Sequence, residues 1–112
     1  MADLSTFRAK HGAKVPADLA AGEKTLHILV KGIVQGVFFR KFVKENAQTL
    51  GITGFTRNMA DGSVEAICHG SDEALEKLLA NLKVGPPAAK VDKIIFKKIT
   101  TKQKFDSFEI RP

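Results

Sequence analysis

The spacing of apolar residues changes once between Thr25 and Leu50, and that change limits what this part of the chain can fold into. Leu26, Ile28 and Val30 alternate with His27, Leu29 and Lys31, the period of two expected of a strand that buries one face. Phe39, Phe42, Val43, Ala47 and Leu50 then recur at helical spacing, which predicts a strand over about 25–31 and a helix over about 39–50. Between them runs Lys31-Gly32-Ile33-Val34-Gln35-Gly36-Val37-Phe38, with Arg40 in the first helical turn. Such a junction leaves backbone N–H groups free at the helix start, where the helix dipole adds partial positive charge. Arg40 adds a permanent charge and a planar fork of donors suited to phosphate oxygens. The stretch reads as an oxyanion cradle, above all for a terminal phosphate.

Taken alone, Gly32 and Gly36 say only that a connection needs positive φ, and Arg40 that a helix has a solvated face. Two better-known phosphate loops are excluded. No Lys-Ser or Lys-Thr follows the last glycine, and no Gly-x-Gly-x-x-Gly spacing is present.

A second constellation lies at Gly54-Phe55-Thr56-Arg57-Asn58-Met59-Ala60-Asp61-Gly62-Ser63-Val64. Asp61-Gly62 between two extended runs predicts a hairpin linking strands over about 53–59 and 63–69. Asn58 ends the first of these runs, where by itself it would simply stabilise a turn.

Together, Gly32-x-Val34-Gln35-Gly36-Val37-Phe38-Phe39-Arg40 and Gly54-Phe55-x-Arg57-Asn58-x-x-x-Gly62-x-Val64 resemble the paired signature of the acylphosphatases. The likeness continues through Gly85-Pro86-Pro87-Ala88-Ala89-Lys90-Val91 to Phe105-Asp106-Ser107-Phe108-Glu109-Ile110, so that it covers residues 25–112. Thr56 departs from the pattern, which has a small apolar residue there, and is expected to be structural. The resemblance implies an α+β, ferredoxin-like βαββαβ domain, an antiparallel sheet with two helices on one face. It implies hydrolysis of acyl phosphates to a carboxylate and inorganic phosphate, with no metal and no cofactor. Inorganic phosphate would be both product and inhibitor, and the protein a monomer.

The remaining chain is consistent with one such domain. Ser71 is placed as an N-cap, with Asp72 and Glu73 in the first turn. Ala74, Leu75, Leu78, Leu79 and Leu82 form the apolar face of a second helix, which Gly85-Pro86-Pro87 stops. Val91–Ile99 reads as a fourth strand and Phe105–Ile110 as a short closing one. At 112 residues and 44% hydrophobic, the chain can bury one core. Residues 1–24 lack periodicity and a secretory apolar segment, and are expected to be a flexible extension to a domain over 25–112. No apolar run approaches the roughly 20 residues of a membrane span. Cys68 is the single cysteine, so a reducing, cytoplasmic setting is expected, with the thiol buried and inert. His11, His27 and His69 match no zinc pattern; His11 falls in the extension, and His27 and His69 are expected to be solvated.

In a split βαβ unit the first two strands run parallel with the third between them. Their carboxyl ends then share one edge, which brings Arg40 near Asn58 although 18 residues separate them in sequence. Expelling a carboxylate from phosphorus needs little proton assistance, so the lack of a histidine or acidic pair in either motif is no obstacle. Arg40 and the backbone donors of Gln35, Gly36, Val37 and Phe38 are expected to bind the phosphoryl group. Asn58 is expected to hold the attacking water, without a protein–phosphate intermediate. Neither motif identifies the acyl part of the substrate.

The same topology serves RNA-recognition modules, and a net charge of +6 would suit a polyanion. Those modules stack bases on aromatics of the first and third strands. Thr25–Lys31 and Ser63–His69 contain no Phe, Tyr or Trp, so nucleic-acid binding is the weaker alternative. Lys90, Lys93, Lys97, Lys98, Lys102 and Lys104 are expected to mark a solvated sheet edge instead.

Overall fold

A computed structural model describes residues 22–112; the remainder of the expected N-terminal extension lies outside the described residues. The elements are β1 (Glu23–Ile33), α1 (Phe39–Thr49), β2 (Thr53–Asn58), β3 (Val64–Ser71), α2 (Asp72–Val84), β4 (Lys90–Ile99) and β5 (Phe108–Arg111). They form a βαββαβ unit followed by a fifth strand. The sheet order is β4-β1-β3-β2-β5.

β1 and β2 both pair antiparallel with β3, so they run parallel to each other, as the split βαβ reading requires. β5 adds to the free edge of β2 and runs parallel to it, which makes the five-stranded sheet mixed. β1 extends to Ile33, past its expected end, by way of a register shift at Lys31/Gly32 against β4. A Cβ on Gly32 would lie 2.1 Å from the Lys90 carbonyl oxygen, so only glycine permits this close approach.

Strand alternation sorts the side chains onto two faces. Leu26, Ile28 and Val30 of β1 stand opposite Cys68, Ala66 and Val64 of β3, all buried under the helices. Phe39, Val43 and Ala47 of α1 join Leu75, Leu78 and Leu82 of α2 in the same core. Burial of each such aliphatic or aromatic side chain contributes about 1.5–3 kcal/mol. Cys68 is fully enclosed, and burial pushes its thiol pKa up to about 12. It is therefore a packing residue. Thr56 is also fully buried on this face, and its hydroxyl donates to the Glu65 carbonyl at 2.8 Å. That bond satisfies the polar group that departs from the family pattern.

The opposite face carries a polar network instead of solvated histidines. The Glu65 carboxylate takes His27 Nε2 at 2.8 Å and Arg57 Nε at 2.6 Å. Burial acts to raise its pKa, but these two partners outweigh burial and hold it below the ordinary value. His69 lies between Thr25 Oγ1 and Glu23. The Arg111 guanidinium sits 3.8 Å from the centre of the Phe55 ring. β4 closes the other sheet edge, with Lys90, Lys93, Lys97 and Lys98 exposed along it.

Candidate active site

The β1–α1 loop and the end of β2 meet at one edge of the sheet. Gly36 adopts φ 75°, and a Cβ there would meet nothing within 4 Å, so glycine is favoured by conformation and not by space. Phe38 follows at φ 61°, ψ 27°, and serves as the N-cap of α1. It provides no side-chain cap, and the first turn of α1 contains no acid. The orphan N–H groups of this helix start therefore face outward with the positive end of the dipole.

A cavity of about 300 Å³ opens at this point. Gly36, Phe38, Arg40 and Lys41 line it from the loop and α1, Asn58 from the end of β2 and Ile110 from β5, with the buried Val34 and Phe39 beneath the loop's exposed residues in the same lining. Its lining carries two cations and no carboxylate. Arg40 is half-buried, and its Nη1 donates to the Arg111 carbonyl at 2.8 Å. One arm of the fork is thus pinned by the main chain of β5, which fixes the direction in which the remaining donors point. Asn58 is half-buried, and its side chain has no hydrogen-bond partner among the described residues. Its amide is available to a guest.

The expected site residues do not all behave alike. Arg40, Asn58, Gly36 and Phe38 line the same cavity. Val37 turns instead toward a neighbouring groove with Phe42 and Pro86. The Gln35 side chain is a brace: its Nε2 donates to the Met59 and Ser63 carbonyls at 2.8 and 2.9 Å. It ties the loop to the β2–β3 turn. That turn is itself tightened by Asp61, whose carboxylate accepts from the Ser63 hydroxyl and backbone N–H. Those two bonds, the hydroxyl's first, hold the Asp61 pKa below its usual value. Arg57, next to Asn58 in sequence, points to the opposite sheet face and its Glu65 partner.

Three features of the site were missed in the sequence: the Arg111 carbonyl, the Gln35 brace and the Ile110 wall. The closing strand is too short for alternation to have placed Ile110. A carbonyl carries no residue identity and leaves no such signal.

Fold and pocket together define a small ferredoxin-like domain with a basic pocket at the start of its first helix. A family model described as acylphosphatase matches residues 26–110. An acylphosphatase of Thiobacillus denitrificans is 44% identical over 88 residues, 79% of this chain and 97% of its own. Among solved structures, an acylphosphatase from Coxiella burnetii superposes with a TM-score of 0.77 at 34% identity, covering 81% of this chain and 95% of that one. One from Bacillus subtilis gives 0.75 at 33%, covering 79% and 98%. The chain belongs to the acylphosphatase family and is a hydrolase of that kind.

Proposed function

We propose that this protein hydrolyses acyl phosphates to a carboxylate and inorganic phosphate by direct in-line attack of water on phosphorus. One observation carries the reading: Arg40, Asn58, Gly36 and Phe38 line one cavity whose lining holds cations and no acid. Arg40 and the backbone N–H groups of Gln35–Phe38 bind the equatorial phosphoryl oxygens and neutralise their charge. Asn58 accepts a hydrogen bond from the water and holds it opposite the leaving group.

The water oxygen forms a bond to phosphorus as the bond from phosphorus to the acyl oxygen breaks. The electron pair leaves on the carboxylate, which is stable at neutral pH. The proton of the water ends on the product phosphate or in solvent. No general acid is needed, which suits a pocket without a histidine or carboxylate in its lining. The phosphate formed occupies the same cradle and therefore inhibits.

The reaction as drawn uses no metal. No group of three or more His, Cys, Asp or Glu among the described residues is placed to hold one. Among the described residues no helix is long and apolar enough to cross a membrane. A monomer in the cytoplasm is the setting proposed, the compartment supported by the single, buried Cys68.

The test is hydrolysis of benzoyl phosphate by purified protein in excess chelator, beside a titration with single-stranded RNA. Turnover is expected to persist in chelator, with inorganic phosphate competing and RNA failing to bind. Loss of turnover in chelator with recovery on adding magnesium would overturn the metal-free mechanism. Tight RNA binding without hydrolysis would restore the nucleic-acid reading, to which the comparisons lend no support.

A further inference from the structure

Among the described residues, Phe38 is the single non-glycine with positive φ, and 80% of its surface is exposed. A large apolar side chain kept both strained and in water is a feature that folding alone does not favour. Phe38 stands between two cavities. On one side is the phosphate pocket. On the other is a groove of about 420 Å³, with Val37, Phe38 and Phe42 on one wall and Pro86, Pro87 and Ala88 on the other. The two cavities share Phe38 and Lys41. Neither Arg40 nor Asn58 lines the second one.

We propose that this groove is the acyl subsite of the reaction. It selects acyl phosphates whose acyl group is aromatic or otherwise apolar, with Phe38 as the specificity-determining side chain. The inference rests on the phosphoryl-transfer reading above.

Three observations support this occupant. First, in-line attack puts the leaving carboxylate on the side of phosphorus away from the water. With Asn58 holding the water, the acyl group must exit where Asn58 is absent, and the groove that shares Phe38 and Lys41 with the pocket but is not lined by Asn58 meets that condition. Second, the size is adequate, since a dry cavity of about 150 Å³ already accepts benzene, and this open groove of about 420 Å³ leaves room for a ring. Third, Glu45 lies on the rim, 3.9 Å from Lys41. The pair leaves the lining without net charge, which suits an acyl group that carries no second carboxylate. The Gly85–Ala89 segment thus acquires a role beyond stopping α2: its turn, closed by the Ala89 N–H to Pro86 carbonyl bond at 3.0 Å, forms the far wall.

The experiment compares kcat/KM for benzoyl phosphate and acetyl phosphate, each corrected for its spontaneous hydrolysis. Wild type is expected to favour the benzoyl compound by about 10-fold or more, because apolar contacts of this kind discriminate on that scale. Two variants then probe opposite walls. Ala88→Gln places a polar side chain in the groove at an exposed turn position. Phe38→Asn removes the ring while keeping a residue that tolerates the left-handed region. Each is expected to lower the benzoyl-to-acetyl ratio by about 2- to 10-fold, the range of one lost aromatic contact. Circular dichroism checks the fold of both. Equal kcat/KM for the two substrates in wild type, or a ratio unmoved in both folded variants, overturns the subsite and leaves hydrolysis standing. Hydrolysis of neither substrate removes the reaction itself, and the subsite with it.

Discussion

The two helices of this domain begin in opposite ways. α2 is finished internally: the Ser71 hydroxyl accepts the Ala74 N–H at 3.1 Å, and Asp72 and Glu73 offset the dipole. Lys83 does the same at its last turn. α1 has none of this. Its N-cap is a phenylalanine in the left-handed region, without a side-chain cap and without an acid in the first turn. Arg40 instead adds positive charge where the dipole is already positive. One helix start is satisfied by its own sequence, and the other leaves its donors open, as the proposed phosphate cradle requires. On the proposed reading, stability and binding capacity are separated between two copies of the same structural element.

Substitutions can break this comparison, and the largest effect is expected at Arg40. Arg40→Ala should lower kcat with benzoyl phosphate by about 10²–10³-fold, the usual result of losing one preorganised charge-stabilising group. Phosphate inhibition should weaken in parallel, because the fork acts on product as well as on transition state. Arg40→Lys should rescue poorly, since a point charge cannot hold the Arg111 carbonyl and the phosphoryl group together. Near-wild-type kinetics in Arg40→Lys would show that charge alone suffices at this helix start.

Asn58 comes next. Asn58→Ala should cost about 10²-fold in kcat, with the phosphate inhibition constant little changed because Arg40 and the loop amides remain. If phosphate affinity falls while kcat is kept, Asn58 belongs to the cradle and the water has another partner.

Ser71 tests the other helix. Ser71→Ala should cost about 1 kcal/mol of stability in urea unfolding and leave kcat unchanged. A loss of activity at constant stability would show that the two helix starts are coupled.

The smallest effect concerns the face away from the site. The folded-state pKa of Glu65 is depressed, so its contribution to stability is present above the ordinary glutamate value of 4.5 and is lost as pH falls through the lower folded value. The stability difference between wild type and Glu65→Gln should therefore shrink as pH is lowered from 4.5. A difference constant through that acid range would assign the effect to packing and not to charge.

Much of this was legible in the sequence because the informative features are local. A period of two passing to 3.6 at a glycine locates β1, the loop and α1. Ser71 followed by two acids locates the start of α2. The meeting of Arg40 and Asn58 followed from topology, since parallel β1 and β2 bring their ends to one edge. The remainder depends on register and on main-chain groups. The pairing of Glu65 with both His27 and Arg57 requires knowing which residues face each other across three strands. Gln35 bonds to two carbonyls, which any residues could supply. The parallel addition of β5 followed from no spacing in the sequence, because four residues are too few to show a period.

The hydrogen bond from Arg40 to the Arg111 carbonyl has a consequence in time. Seventy-one positions separate its two ends. The guanidinium cannot take its working orientation until β5 has paired with β2, and β2 borders β5 on one side and β3 on the other. Contacts that span so much chain close late and set the pace of folding. During refolding, secondary structure and burial of the core should therefore be recovered before catalytic competence, and the interval between them measures how slowly the last strand docks.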